Sequence, residues 1–172
     1  MSAGDIPADK KPVSRSPRRR AREFALQGVY QWLVGGADAA AIDGHMQEVS
    51  GFDKADRALF TSLLHGVLDQ APQFDAQLGP LLDRPVDELS PVEHAVLLIA
   101  SCEMQLHAET PYRVIINEAI ELTKSYGGTD GHKYVNGVLD KLAPRLRPLE
   151  ARGARVARNE ARDAPHSEPH ED

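Results

Sequence analysis

Apolar residues along this chain recur at spacings of three and four, which is the period expected for amphipathic α-helices. The clearest example is the stretch 116–142, which reads as one helix, a hinge at Gly127 and Gly128, and a second helix. Glycine ends helices readily because it can adopt the left-handed conformation that closes a helix C-terminus. Thr129 or Asp130 can then cap the second helix. The buried face predicted for that helix consists of Val135, Val138, Leu139 and Leu142.

Capping residues and apolar stripes predict more helices before this hinge. The first covers about 16–34 and ends before a pair of glycines. A short helix covers 37–49, a third begins at a capping Asp53, and a fourth covers 74–82. No alternating apolar and polar run bounded by turns indicates a β-strand. The pattern therefore predicts an all-α fold with about seven helices.

The stretch that begins at Ser90 has the clearest helix start in the chain. Ser90 is a capping residue, Pro91 suits the first helical position, and Glu93 completes a capping box. The helix that follows is apolar on nearly all sides, because a second apolar stripe lies in line with Glu93. The residues of this second stripe are Leu97, Ala100 and Met104. Two apolar faces indicate either a fully buried central helix or a core face combined with a binding face.

Both ends of the chain lack a helical period. Residues 1–17 are rich in proline, serine, lysine and aspartate, and residues 149–172 mix arginine, acids and proline without an apolar face. We expect both segments to be disordered, which leaves 18–148 as the folded domain. The C-terminal tail carries arginines that can add nonspecific RNA contacts, although the interleaved acids favour a solvated segment. These arginines are Arg152, Arg155, Arg158 and Arg162.

Charge is distributed unevenly along the chain. The net charge of −6 argues by itself against a nucleic-acid-binding protein. However, residues 1–22 hold seven lysines and arginines against two aspartates, and the excess of acid lies further along the chain. A basic arm on an acidic body can still bind phosphates, because binding follows the local potential and not the total charge.

Two tyrosines lie outside the predicted buried stripes. Tyr134 falls on a flank of its helix beside Lys133 and Lys141, and RNA bases stack on aromatic rings in such surroundings. The alternative is that Tyr134 only covers a helix end. Tyr30 lies on the flank of the first helix, where it is either a ring available to a partner or a peripheral core residue.

The residue types and spacings do not predict an enzyme, a metal site or a bound cofactor. Cys102 is the only cysteine and lies in an apolar helix, which suits a small buried side chain in a reducing cytoplasm. The stretch 127–133 lacks the preceding strand and the Ser/Thr of a phosphate-binding loop. The histidines have no metal-ligand spacing. With neither a long apolar run nor a secretion signal, we expect a cytoplasmic protein.

Three segments in register resemble the NusB family. They are Arg18–Trp32, Val92–Met104 with the TPYRV that follows, and the stretch 116–142, and together they span roughly Arg18–Pro148. The resemblance implies an all-helical protein without catalytic activity, built as two packed helical bundles. It also implies pairing with NusE, a small-subunit ribosomal protein, and binding of boxA RNA in nascent transcripts. With other Nus factors, such a complex joins RNA polymerase, suppresses termination and supports ribosomal RNA transcription.

The resemblance also implies roles for individual residues. Asp130 is expected both to cap its helix and to accept hydrogen bonds from base amino groups. The positions implied to contact RNA are Arg18, Arg19, Arg20, Arg22, Asp130, Lys133 and Tyr134. The positions implied to face NusE are Tyr30 and Glu93, and we extend that surface to Leu97, Ala100 and Met104.

Two alternative functions remain open. A NusB-like domain also precedes some ribosomal RNA cytosine methyltransferases, so the chain can be an accessory domain related to such enzymes. That enzyme needs a methyl-donor-binding α/β domain, for which we expect no room after Pro148. A helical protein-interaction adaptor without RNA affinity is the other alternative.

Overall fold

The computed structural model describes residues 16–164, and within this range the chain forms seven α-helices and no strand. The helices are α1 (Pro17–Gly35), α2 (Ala39–Gln47), α3 (Arg57–Leu78), α4 (Pro91–Leu106), α5 (Tyr112–Tyr126), α6 (Gly131–Leu146) and α7 (Pro148–Asp163). Single turns of 3-10 helix cover Phe52–Lys54, Gly79–Leu81 and Val86–Glu88. The predicted all-α fold is confirmed.

Helix α4 lies at the centre of the fold. It packs against α1 and α3 on one side and against α5 and α6 on the other, so that two helical groups meet across it. Every residue from Ala95 to Met104 is buried. Leu97, Ala100 and Met104 are at most 3% exposed, because the neighbouring helices cover the second apolar stripe as well as the first. This corrects the expectation that the second stripe forms an open partner-binding face.

Side-chain contacts define two ends of the helical core. At the "arginine end", the start of α1 meets the C-terminal part of α4, where Arg22 binds Glu103, and the start of α5, where Arg18 contacts Thr110. At the "hinge end", the start of α4 meets the start of α6, where the Glu93 carboxylate packs against Gly131. Glu93 marks the hinge end of α4 and Glu103 marks the arginine end. Because each helical residue adds 1.5 Å, the two are about 15 Å apart along the axis of α4.

Most helix starts follow the capping chemistry expected from the sequence. The side chains of four N-cap residues accept a hydrogen bond from the backbone amide three positions later, as helix N-termini require. They are Ser16, Asp38, Asp56 and Ser90. The helix expected to begin at Asp53 therefore begins one turn later. At the end of α1, Gly36 has a φ of 68°, the left-handed conformation that favours glycine.

Helix α3 is longer than the sequence pattern predicted. It continues through the exposed Pro72 to Leu78, so 74–82 is not a separate helix. Proline removes one backbone hydrogen bond and normally breaks or kinks a helix. Here Val67, Ala71 and Phe74 stay on one buried face across the proline, and their packing holds the two parts in a single helix.

The hinge between α5 and α6 uses glycine for a different reason from the predicted one. Gly127 has a φ of −94° and a ψ of −175°, which is not the left-handed conformation. A Cβ atom at this position would lie 2.7 Å from the Thr123 carbonyl oxygen, so the close approach of the backbone excludes a side chain. Asp130 is the N-cap residue of α6, but its side chain makes no capping hydrogen bond.

The prediction that 149–172 is disordered is wrong for most of that segment, because α7 occupies Pro148–Asp163. Alanine, arginine and glutamate are strong helix formers, and Pro148 is favourable at the first position. The first turn is anchored by Glu150, which accepts hydrogen bonds from the Tyr112 amide at 2.9 Å and from Arg147 at 2.6 Å. None of the α7 residues is buried, which is why no apolar stripe indicated a helix. Residues 1–15 of the predicted arm and 165–172 of the tail lie outside the described range.

Candidate nucleic-acid interface

Arg22 belongs to the interior of the protein. Its Nε and Nη2 atoms donate to Glu103 Oε1 at 2.9 Å and 2.7 Å, and the two side chains are 5% and 1% exposed. A phosphate cannot reach a guanidinium that is buried and already paired in this way. The expectation that Arg22 contacts RNA is therefore corrected: the tertiary structure places an acid of α4 directly opposite it.

Arg19 is only partly available. Its Nε and Nη2 atoms each lie 2.9 Å from a carboxylate oxygen of Glu118, so the pair is bidentate. This hydrogen bonding is the main cause of the raised pKa of Arg19. The Arg19 side chain is 40% exposed. Arg19 thus keeps exposed surface at the arginine end, but two of its three guanidinium nitrogen atoms are already hydrogen-bonded to Glu118.

Arg18 and Arg20 are the two predicted arginines that remain freest. The Arg18 side chain is 45% exposed, donates to Thr110 Oγ1 at 3.2 Å and lies 3.9 Å from Asp56. Arg20 is half-buried, and it forms no ion pair with a described residue. Its buried Nε atom has no hydrogen-bond partner within the described part of the chain. These two side chains are the cations that the arginine end can offer to a phosphate.

Asp130 and Lys133 form an open pair at the hinge end. Lys133 Nζ lies 3.3 Å from Asp130 Oδ1, and the two side chains are 74% and 76% exposed. A solvent-exposed pair of this kind contributes little to stability and separates easily. Both groups are therefore accessible to a ligand, the lysine to a phosphate and the aspartate to a hydrogen-bond donor on a base.

Tyr134 lies beside this pair under a partial cover. Its ring is half-buried, and the guanidinium carbon of Arg84 lies 4.9 Å from the ring centroid. Arg84 also donates to both carboxylate oxygens of Asp83, at 2.8 Å and 3.2 Å. These hydrogen bonds, followed by the contribution of the Tyr134 hydroxyl, lower the pKa of Asp83 to about 2. Desolvation is the main cause of the raised pKa of Tyr134.

The sequence patterns did not indicate Asp83 or Arg84 as parts of this surface. Both are exposed in the connection between two 3-10 turns, and only the fold brings them to Tyr134, fifty positions away. Arg84 was noted only as the residue before Pro85, a position that disfavours helix. The only signal for this surface in the sequence was a pair of adjacent charged residues, Asp83 and Arg84, between two predicted helices.

The two polar positions predicted to face a partner differ in accessibility. Glu93 is half-buried at the hinge end, and its amide donates to the Ser90 side chain at 3.2 Å, as the capping pattern predicted. Its carboxylate oxygen would lie 2.9 Å from a Cβ atom on Gly131, which places it at the start of α6, three residues before Tyr134. Tyr30 is only 8% exposed and packs in the core. The expectation of an open Tyr30 ring is therefore corrected in favour of the core alternative.

The cysteine, the potential metal ligands and the helix lengths each bear on an expectation from the sequence. Burial raises the pKa of Cys102 to about 12, so its thiol is protonated and unreactive at neutral pH. Among the described residues, no three His, Cys, Asp or Glu side chains are grouped so that they could hold a metal ion. Within the same range, every helix is too short or too polar to cross a membrane.

Comparison with known proteins identifies the family. The model of the NusB family matches residues 19–144. The transcription antitermination protein NusB of Dechloromonas aromatica (strain RCB) is 57% identical over 158 residues, which cover 92% of this chain and 97% of the relative. The protein of the same name from Aromatoleum aromaticum is 59% identical over 142 residues, which cover 83% of this chain and 98% of the relative.

Solved structures share the fold. T. maritima NusB superposes with a TM-score of 0.66 and 25% identity, covering 81% of this chain and 99% of that chain. A chain in the crystal structure of a plectonemic RNA supercoil superposes with a TM-score of 0.62, covering 74% of this chain and 94% of that chain. At 19% identity, this second likeness concerns the fold alone. The curated relatives are named as transcription antitermination proteins, in agreement with the prediction that the chain is not an enzyme. On the match over residues 19–144 and the identities above, this chain belongs to the NusB family.

Proposed function

We propose that the protein is an RNA-binding transcription antitermination factor of the cytoplasm. In this proposal it pairs with NusE, binds boxA RNA in nascent transcripts, and joins RNA polymerase with other Nus factors to support ribosomal RNA transcription. The observation that carries the proposal is the family match over 19–144, together with curated antitermination proteins of 57% and 59% identity.

The chemistry of the hinge end supports RNA as the ligand. Tyr134 offers a ring on which a base can stack, and Arg84 is a second planar group beside it. The exposed Lys133 suits a phosphate, and the exposed Asp130 suits an amino group of a base. Arg18 and Arg20 would add phosphate contacts at the arginine end, with a smaller contribution from Arg19.

The burial pattern limits which residues can meet NusE. Tyr30 and the second stripe of α4 are covered by the protein itself, so among the predicted partner contacts only Glu93 keeps exposed surface. Because Glu93 lies beside Gly131, a partner that touches it would also lie close to the proposed RNA contacts. This arrangement fits a heterodimer in which the partner completes the RNA-binding surface.

The direct test is fluorescence anisotropy with labelled boxA RNA and a scrambled RNA of equal length, each with and without NusE. We expect selective binding of boxA RNA that tightens when NusE is added. Tyr134→Ala should weaken binding by removing the stacking surface, an interaction of about 1–3 kcal/mol per base. Tyr134→Phe is the matched control, because it keeps the ring and removes only the hydroxyl.

Two results would change the assignment. Equal binding of boxA and scrambled RNA that ignores NusE would contradict the proposal and leave only nonspecific attraction to a polyanion. Binding of NusE without any RNA affinity would instead favour the helical adaptor, the second function left open by the sequence.

A further inference from the structure

Helix α7 encloses a groove together with α5 and α6. The groove has a volume of about 580 Å³, and it is partly open to solvent. Most of its lining is polar. The polar side chains along it are Arg113, Asn117, Asn136, Asp140, Arg155 and Arg158. Ile116 and Ala143 lie at its floor, but they are only 5% and 1% exposed.

The groove carries unpaired positive charge. Arg113 lies over the ring of the neighbouring Tyr112, with its guanidinium carbon 5.6 Å from the centroid. Neither it nor Arg155 nor Arg158 forms an ion pair with any described residue. Asp140 is the only acid in the lining, so three guanidiniums face one carboxylate. In a protein with a net charge of −6, this is a local reversal of sign.

The position of the groove relates it to both ends of the core. At one side it begins at Tyr112, two residues after Thr110, which Arg18 contacts at the arginine end. At the other side it reaches Asn136, which lies one turn after Lys133 on the same face of α6. The groove thus lies between the arginine end and the hinge end, which are marked by Glu103 and Glu93, about 15 Å apart along helix α4.

From these observations we infer that the α5–α6–α7 groove binds the backbone of single-stranded RNA. This inference rests on the proposed function and deepens it by adding a binding surface. Guanidinium groups match phosphate geometry, and the amides of Asn117 and Asn136 can hydrogen-bond sugar hydroxyls or base edges. A protein partner is disfavoured because protein interfaces have an apolar centre, and the apolar floor of this groove is almost fully covered. Arg155 and Arg158 lie beyond residues 19–144, so the contacts inferred for them are outside the part of the chain that the family model matches.

The test compares two pairs of substitutions in the full chain. Arg155→Ala with Arg158→Ala removes two charges from the groove, whereas Lys54→Ala with Arg145→Ala removes two charges from exposed surfaces outside its lining. All four side chains are exposed, so both variants should fold, and circular dichroism would verify this. The probes are a minimal boxA RNA and a boxA RNA extended by unstructured flanking nucleotides, each measured by anisotropy across a salt series.

For the extended RNA, we expect the groove pair to weaken binding roughly tenfold and to lower the slope of log affinity against log salt by about 1.4, from two lost phosphate contacts. The control pair should change both quantities much less. Asn136→Ala should weaken binding without changing the slope, because it removes a contact but no charge. Effects that are larger for the extended RNA than for the minimal RNA would support a longer RNA path through the groove.

The failure of this inference can be distinguished from failure of the proposed function. If wild-type protein selects boxA RNA but the groove pair behaves like the control pair, the groove inference is overturned and the proposed function stands. If wild-type protein binds boxA and scrambled RNA equally, the proposed function falls. In that case the groove inference still predicts that the groove pair weakens the binding of both RNAs. If the variant binds both RNAs with the wild-type affinity, the groove inference is overturned. Absence of any RNA binding overturns both.

Discussion

Helices α1 and α7 each carry four arginines, but within the described range acids on other helices bind two of those in α1 through hydrogen bonds and none of those in α7. In α1, Arg22 is buried against Glu103 and Arg19 is held by Glu118. In α7, no residue is buried, and Arg155 and Arg158 form no ion pair with a described residue. The sequence had suggested RNA contacts for the first cluster and a solvated tail for the second.

The difference lies in what the fold places opposite each arginine. Arg22 meets an acid on α4, eighty-one positions away, and Arg19 meets an acid on α5. Arg155 and Arg158 instead border a groove in which Asp140 is the only acid. A run of arginines therefore does not identify a nucleic-acid surface by itself. The distinction depends on long-range pairing, which converts some arginines into structural residues and leaves others available for a ligand.

The largest expected effect is on stability and comes from Arg22→Ala. This change leaves the Glu103 carboxylate buried without its partner, and such uncompensated charges cost about 3–5 kcal/mol of unfolding free energy. Urea denaturation followed by circular dichroism would measure the loss.

A double replacement separates the charge effect from the packing effect. Arg22→Met combined with Glu103→Leu removes both charges and keeps apolar volume, so it should recover most of the lost stability. If Arg22→Ala unfolds no more easily than wild type, the buried pair is not structural and the contrast between α1 and α7 fails. Should Arg22→Ala not fold at all, the double variant still tests the explanation.

Much of the fold could be predicted from local patterns, because helix period and capping are encoded within a few residues. The start of α4 at Ser90 and the end of α1 at its glycine pair are examples. Helix α7 could not be predicted in the same way, since it has no buried residue. Its anchor is the contact between Glu150 and the Tyr112 amide, which joins positions 38 residues apart.

The candidate site was predictable only where exposure follows from helix position. Lys133 is exposed on a flank of α6 and Tyr134 is half-buried there, as the stripe of that helix suggested. The burial of Tyr30 and Met104 depends on which neighbouring helix covers each face, and a single helix pattern leaves that open. Arg84 reaches Tyr134 only through the path of the loop after α3.

A second prediction concerns the anchor of α7. Glu150→Ala removes the acceptor of the Tyr112 amide and one partner of Arg147. The free energy of local unfolding of α7 should therefore fall by about 1–3 kcal/mol. Hydrogen exchange would detect this as faster exchange of α7 amides with unchanged protection in α4. Glu160→Ala, on the exposed part of α7, is the matched control. Equal exchange in both variants would show that Glu150 does not hold the helix.

A third, smaller effect distinguishes the arginines within α1 itself. Arg18→Ala should lower the slope of log RNA affinity against log salt by about 0.7, the value for one phosphate contact with a single strand. Its unfolding free energy should change little, because the Arg18 side chain is 45% exposed and its ion pair with Asp56 is long, at 3.9 Å. The same anisotropy series as above would measure the slope. An unchanged slope would remove Arg18 from the RNA surface and leave α1 with mainly structural arginines.

The smallest effect concerns Arg84, which is exposed like the arginines of α7 but paired like Arg22. Hydrogen bonds from Arg84, followed by the contribution of the Tyr134 hydroxyl, lower the pKa of Asp83 from 3.8 to about 2, so the charged pair persists at neutral pH and is lost only as the pH falls through about 2. A group whose pKa is lowered in the folded state contributes its stabilisation above its ordinary pKa, so no change is expected between pH 5 and 8. Arg84→Ala should return the pKa of Asp83 towards 3.8, as NMR titration of its carboxyl carbon would show, and should uncover one face of the Tyr134 ring. A pKa that stays near 2 in this variant would mean that other groups hold the carboxylate, and that Arg84, like the arginines of α7, is free to serve a ligand.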